Sequence, residues 1–427
     1  MVIFAILVII VVMLVGSWLI TRSWWSPTST MVIYWSFFIV FSMFVFKYEY
    51  NWSYSGVLWI LAACVFFGLG NTVGNALSVQ LIRGREVSLV SRPKKSLSRF
   101  SWYFIILCIT MGIIRIIIDI IANGFTFQSF LNLNAILDMN ETMAYQRYSG
   151  GEGSNNVIMQ LLLVFVYAGP LCGGYASNYR ENKFDTSITF LTFVPVLLSL
   201  LFNNGKAGLI ACVLLWISGY IVGFVEKNKK LPSFRMGTFF KFILSLIIAL
   251  IFLYISMLMR IGDFSESTRS IVYQKFMVYA FGNIPAFDYG FSSKLFLKSE
   301  LPGQFTFVGI YNTLGFTERL QGVYKFGITF TNGYFTNVFT SFFGIISDFG
   351  YVGGLLFFSA IGVISGFSLN RIINLNGRNI MTMTVLSSIY FFIFYSFIIS
   401  PWSYSSYILS MFVFMVYLWL TILNRGK

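Results

Sequence analysis

The chain has 427 residues, of which 57% are hydrophobic and only 10% charged, with a formal net charge of +14 and no histidine. That balance lies far outside the range of soluble globular domains, so the chain reads as an all-α, polytopic integral membrane protein. The missing histidines exclude zinc-type clusters, Ser-His-Asp triads and a histidine base, and neither GxxxxGK[ST] nor GxGxxG after a strand occurs, so no metal, cofactor or nucleotide site is expected.

An apolar run of about 18 to 20 residues spans a bilayer as a helix. In chain order such runs fall near 2–20, 31–47, 56–78, 101–122, 156–177, 187–202, 207–225, 237–258, 350–369, 380–399 and 405–422, about eleven spans in all. The first has no basic stretch before it and no small-residue cleavage site after it, so it is read as a retained span. Between the spans lie short basic breaks at 83–100, 177–185, 226–237 and 370–378, with a basic tail "NRGK". An even number of spans separates each from the next, so the positive-inside rule places all five on the cytoplasmic face and the N-terminus outside.

The positive charge is therefore mostly topogenic and does not point to nucleic acid. No linker or repeat divides the chain, and 1–427 is read as one membrane domain with two outward segments, 123–155 and 259–349, where function is expected. The four cysteines, Cys64, Cys108, Cys172 and Cys212, all fall inside spans and read as small apolar residues.

The outward half carries cations that the positive-inside bias would otherwise deplete: Lys206 in the tight turn "NNGKAGL", Arg260 and Arg269 in "MRIGDFSESTRS", Lys275, Arg319 and Arg147. As a group they read as a cationic site for a phosphate or pyrophosphate on a lipid; singly, each is also explained by snorkelling to headgroups. Arg115 and Asp119 stand four apart on one face of the span 101–122 and form either an internal ion pair or part of that site. Among the outer carboxylates, Asp263, Glu266, Asp288, Glu300, Glu318 and Asp348, Asp263 lies three residues from Arg260, and Asp348 stands where the long outward segment re-enters the bilayer. Either is a candidate base; Asp348 alternatively caps a helix or orients an arginine, and the Phe-Gly and Gly-Gly pairs after it permit a bend. Aromatic residues crowd 273–291 and 305–335, a pattern that serves as a platform for sugar faces or as interfacial packing. The stretch 269–282 also has an amphipathic helical pattern.

The order "NNGKAGL", "MRIGD", "KFMVYAFGNIPAFDYGF" and "TNVFTSFFGIISDFGYVGGLLF" resembles the bacterial oligosaccharide repeat-unit polymerases, the O-antigen polymerase group, over roughly residues 200–370. Its most specific part is Asn337 to Thr340 followed by Asp348-Phe349-Gly350 and Gly353; the family pattern often has Tyr where this chain has Phe339. The resemblance implies a glycosyltransferase-C-like membrane enzyme of the bacterial inner membrane, active on the periplasmic or extracellular side. It would join oligosaccharide units carried on undecaprenyl pyrophosphate in lipopolysaccharide O-antigen, capsule or exopolysaccharide biosynthesis. It implies substrate binding by Lys206, Arg260, Arg269, Arg319, Arg115 and Asn337, with Asp263 or Asp348 as base. Membrane lipids, a chain-length regulator and a flippase are the implied partners. A flippase or exporter of lipid-linked sugars and an O-antigen ligase are the alternatives.

Overall fold

The computed structural model describes residues 2–83, 96–125, 157–203, 205–233, 265–317, 326–374 and 379–423, with single positions between 132 and 142, between 251 and 261, and at 324. It is almost wholly helical, and nine helices or helix pairs among the described residues are long and apolar enough to cross a membrane. The protein is a multi-pass membrane protein. These nine are α1 (Val2–Thr21), α2 (Pro27–Val45), α3 (Ser55–Arg83), α4 (Arg99–Ala122), α5 (Val157–Ala176, continued by a 3-10 turn to Tyr179), the pair α6 (Lys183–Leu191) and α7 (Val194–Asn203), α8 (Lys206–Asn228), α12 (Ser341–Asn374) and α14 (Ser405–Leu423). A shorter apolar helix, α13 (Ile380–Tyr395), falls on the expected span 380–399, whereas 237–258 lies mostly outside the described residues. Between α8 and α12 come α9 (Glu266–Phe281), α10 (Asn283–Ser292), α11 (Val308–Thr313) and a two-residue hairpin, β1 (Ile328–Thr329) paired antiparallel with β2 (Phe335–Thr336).

Local chemistry sets these boundaries. Ser26 caps α2 by accepting from Ser29 N, with Pro27 in the first turn, and Ser98 caps α4 by accepting from Ser101 N. Asn182 caps α6, while Asp185 in its first turn accepts from Glu181 N. The expected span 187–202 is thus two helices, broken at Thr192 and Phe193 just before Pro195, which lacks the N–H a continuous helix needs. Inside α5, Pro170 leaves the Val166 carbonyl without its helical donor, and the Cys212 thiol reaches that oxygen at 3.6 Å.

Two compact units are distinguished. Unit 1 comprises Met1–Ser91, Asn228–Phe234 and Gln274–Ile408; unit 2 comprises Arg92–Lys227, Arg235–Tyr273 and Leu409–Lys427. Unit 1 is built on the packing of α3 against α12, which approach until backbone meets backbone. A Cβ added at Gly70 or Gly74 would lie 2.0 Å from the carbonyl of Ser359 or Val363, and one at Gly362 or Gly366 would lie 2.2 or 2.1 Å from that of Phe67 or Asn71. Two Gly-x-x-x-Gly pairs therefore interlock, and Asn71 donates to Ser365 Oγ at 2.7 Å across the seam. Beside it, Trp35, Trp59, Phe287, Phe342 and Phe358 form a buried aromatic core. Unit 2 repeats the device with α5 and α8: the places of Gly174 and Gly219 admit only hydrogen, against the carbonyls of Trp216 and Leu171. Its α4 is tied to residues 409–423 of α14 by Ser101 Oγ donating to Thr421 Oγ1 at 3.1 Å.

Candidate functional site

The long helix α12 is not continuous. At Gly350 the backbone turns to φ 71°, ψ 179°, a region open essentially to glycine alone, so Ser341–Phe349 and the remainder of α12 are separate helical segments. Asp348 stands two residues before this break and is half-buried. Its Oδ1 accepts from Phe305 N at 2.9 Å, and its Oδ2 accepts from Thr306 N at 2.7 Å and Thr306 Oγ1 at 2.6 Å. Ser347 Oγ accepts from Leu297 N at 3.2 Å. Consecutive residues of α12 therefore clamp the segment 297–306 beside the break. With both oxygens engaged in charge-assisted hydrogen bonds, Asp348 anchors that segment.

Asn337 belongs to the same unit and donates from Nδ2 to the Tyr324 carbonyl at 3.2 Å. The Tyr324 ring packs against Phe339 and Phe343, at 5.4 and 4.9 Å between centroids. Burial, and then the negative charge of Asp348, push the Tyr324 phenol above its ordinary value. Phe339 and Phe343 are buried, as is Phe287, so many of the crowded rings are core. Others, including Tyr273, Tyr279, Phe316 and Phe335, remain exposed.

Of the described cations of the expected site, Arg115, Lys206 and Arg269 lie in unit 2 and Lys275 in unit 1. Arg115 and Asp119 face each other at 4.0 Å, with side chains 14% and 16% exposed. The Arg115 Nε is buried and without a hydrogen-bond acceptor. On the same helix, Ile116 and Ile120 share an apolar cluster with Phe202 of α7. Lys206 opens α8 four residues beyond Phe202, so the α4 segment that carries Arg115 and Asp119 packs on the end of α7 from which the chain passes into α8. Arg269, exposed on α9, is also in unit 2, and its carbonyl is reached by the Tyr254 hydroxyl at 3.5 Å. The residues Asp263, Arg260, Arg319 and Arg147 lie outside the described residues, as does most of 123–155.

Asp288, one of the outer carboxylates of the sequence but not singled out there, lies in the interior. It is fully buried on α10, and its two oxygens accept from Ser53 N (2.9 Å), Tyr54 N (3.2 Å), Gly56 N (2.9 Å), Ser53 Oγ (3.0 Å) and Tyr50 OH (3.3 Å). It thereby caps the start of α3 from another helix, placing negative charge on the N-terminal end of the helix dipole. A Cβ at Gly56 would stand 2.7 Å from Asp288 Cα, so glycine is required for the approach. Burial, and then the Asp288 charge, raise the Tyr50 phenol. The signal available in the sequence was the loop itself, "KYEYNWSYSG", in which aromatic and polar residues alternate.

No protein-family model, curated protein or solved structure matches this chain.

Proposed function

We propose that this membrane protein polymerises oligosaccharide repeat units carried on undecaprenyl pyrophosphate, at the outer face of a bacterial plasma membrane. The observation that carries the proposal is the packing of the α4 segment that bears Arg115 and Asp119 on the end of α7 that leads into Lys206. That end is outward in the topology expected from the basic loops. Fixed cations there suit a pyrophosphate whose lipid remains in the bilayer. In the reaction, a hydroxyl of the incoming unit attacks the anomeric carbon of the growing chain, the bond from that carbon to the pyrophosphate oxygen breaks, and the hydroxyl proton passes to a base. The donor carries its own leaving group, so the chemistry asks for no nucleotide. Arg115 and Lys206, joined by Arg260 and Arg269, would hold the charge that develops on the departing pyrophosphate. Asp263 is the carboxylate proposed to take the proton, while Asp348 anchors residues 297–306 within unit 1.

Reconstitution tests this. Purified protein in liposomes, given undecaprenyl-pyrophosphate-linked repeat units and no nucleotide, is expected to yield a ladder of lengthened glycans. Lys206→Ala is expected to slow it about a hundredfold, in the range of losing one charge-stabilising donor. Substrate that crosses the bilayer and stays one unit long would overturn the proposal in favour of an exporter.

A further inference from the structure

The loop between α2 and α3 has a composition that the helices do not require. From Lys47 to Ser55 it reads KYEYNWSYS, with Tyr48, Tyr50, Trp52 and Tyr54 alternating with Glu49, Asn51 and Ser53. Tyr48 is 83% exposed, and Asn51 and Ser53 are exposed as well. The Trp52 and Tyr54 rings lie 15° from parallel with centroids 6.0 Å apart, and Trp52 Nε1 donates to the Phe46 carbonyl at 3.3 Å. Lys47 Nζ sits over the Tyr48 ring at 4.9 Å.

The loop is held rigidly from beneath. Asp288 collects its backbone N–H groups, and Tyr54 is held at φ +63°, a conformation costly for a residue with a side chain. The β1–β2 hairpin is fastened beside it. Thr331 donates from N to the Glu49 carbonyl at 3.2 Å and from Oγ1 to Glu49 Oε2 at 2.6 Å, while Phe330 stacks on Phe46 at 4.4 Å. The loop and the hairpin thus share one surface, with Asn332 and Phe335 exposed on the hairpin side.

We propose that residues 47–54, together with the hairpin turn, form a docking platform for the sugar rings of a glycan chain. A pyranose has an apolar C–H face, which packs on an aromatic ring, and a rim of hydroxyls, which needs donors and acceptors close by. Rings alternating with carboxylate, amide and hydroxyl groups supply both. Fixing them in advance, with backbone strain held by a buried carboxylate, lowers the ordering cost of binding a flexible chain. A lipid-facing aromatic belt requires neither the alternation nor the fastening. The proposal rests on the polymerase reading, and names a surface on which the lengthening chain lies.

The probe is glycan released by mild acid from the surface of the producing strain. In saturation-transfer NMR on the full-length protein in nanodiscs, irradiation of aromatic protons is expected to transfer to sugar ring protons. Tyr48→Ala and Trp52→Ala are each expected to raise the dissociation constant about tenfold. Tyr48 is so exposed that its removal leaves the fold intact, which separates lost binding from lost structure. A spin label on Tyr48→Cys is expected to be more accessible to an aqueous nickel chelate than to oxygen. Absence of transfer in the wild type, unchanged binding in both variants, or a label buried in lipid would each overturn the platform. If the variants lose binding while a strain lacking the protein still makes long glycan, the platform stands and the polymerase reading falls. If that strain stops at one repeat unit while both variants bind normally, the platform alone falls.

Discussion

Replacing Asp288 tests whether one carboxylate organises the start of α3. In Asp288→Asn the side chain keeps its volume and one acceptor oxygen, but the second oxygen becomes an NH2 group facing N–H donors. The wild-type carboxylate accepts three backbone N–H groups, at 2.9, 3.2 and 2.9 Å, and two hydroxyls. Hydrogen bonds to a charged group contribute about 1.5–3 kcal/mol each, and water can replace the one at exposed Ser53 but not the one at buried Gly56. Losing part of this buried network costs about 3–5 kcal/mol. At roughly 2–4 °C per kcal/mol for a unit of 150–250 residues, the midpoint falls by about 6–20 °C. Thermal unfolding of the purified protein in detergent, followed by circular dichroism, measures it. Gly56→Ala, whose Cβ would press on Asp288, is expected to be destabilising, and the two changes combined to cost less than their sum, because they break one contact. A midpoint within 2 °C of wild type for Asp288→Asn, an outcome far below the roughly 6 °C floor, would refute the capping role.

The interlocked glycines of α3 and α12 make Gly70→Ala and Gly362→Ala costly by about 1–3 kcal/mol each, seen as a loss of monodisperse protein on gel filtration. At Gly350 there is room for a side chain but no conformation for it, so alanine, asparagine and valine are all expected to destabilise, by about 1–3 kcal/mol. Destabilisation by valine alone would show that space, not backbone, governs the position. Tyr50, Tyr324 and Tyr404 have phenols raised by burial. Their neutral forms give stability that is complete below the unfolded value of about 10 and is lost as pH rises above it. Midpoints measured from pH 8 to 11 should therefore fall at the alkaline end, and less steeply in Tyr324→Phe.

Apolar length made α1 to α4 legible in the sequence to within a few residues, because a span is long and its pattern needs no partner. Short-range chemistry was also in view: the bend after Asp348 is there, at Gly350. The helix before that bend was not foreseen, since "SFFGIISDF" is too short and too mixed to stand out, and its anchors, Phe305 and Thr306, are some forty residues away. Asp288 was illegible as a cap for a similar reason: its partners precede it by more than 230 residues. The Gly-x-x-x-Gly spacings at 70 and 74, 219 and 223, and 362 and 366 were visible, but a spacing does not name the helix it meets. The cations Arg115, Lys206 and Arg269 fall in unit 2, and Asp348 and Asn337 in unit 1. Sequence order had set them in one series, because it ranks residues along the chain and not by the unit they fold into.

Chain growth is tested most directly by the surface glycan of a strain lacking this protein, resolved on a gel beside strains complemented with wild type and with Lys206→Ala. The proposed function predicts material stopped at one repeat unit in the deletion, a full ladder with wild type, and no ladder with stably expressed Lys206→Ala. A deletion strain with no surface glycan and lipid-linked units trapped inside, or with long polymer left unattached to its lipid core, would contradict it.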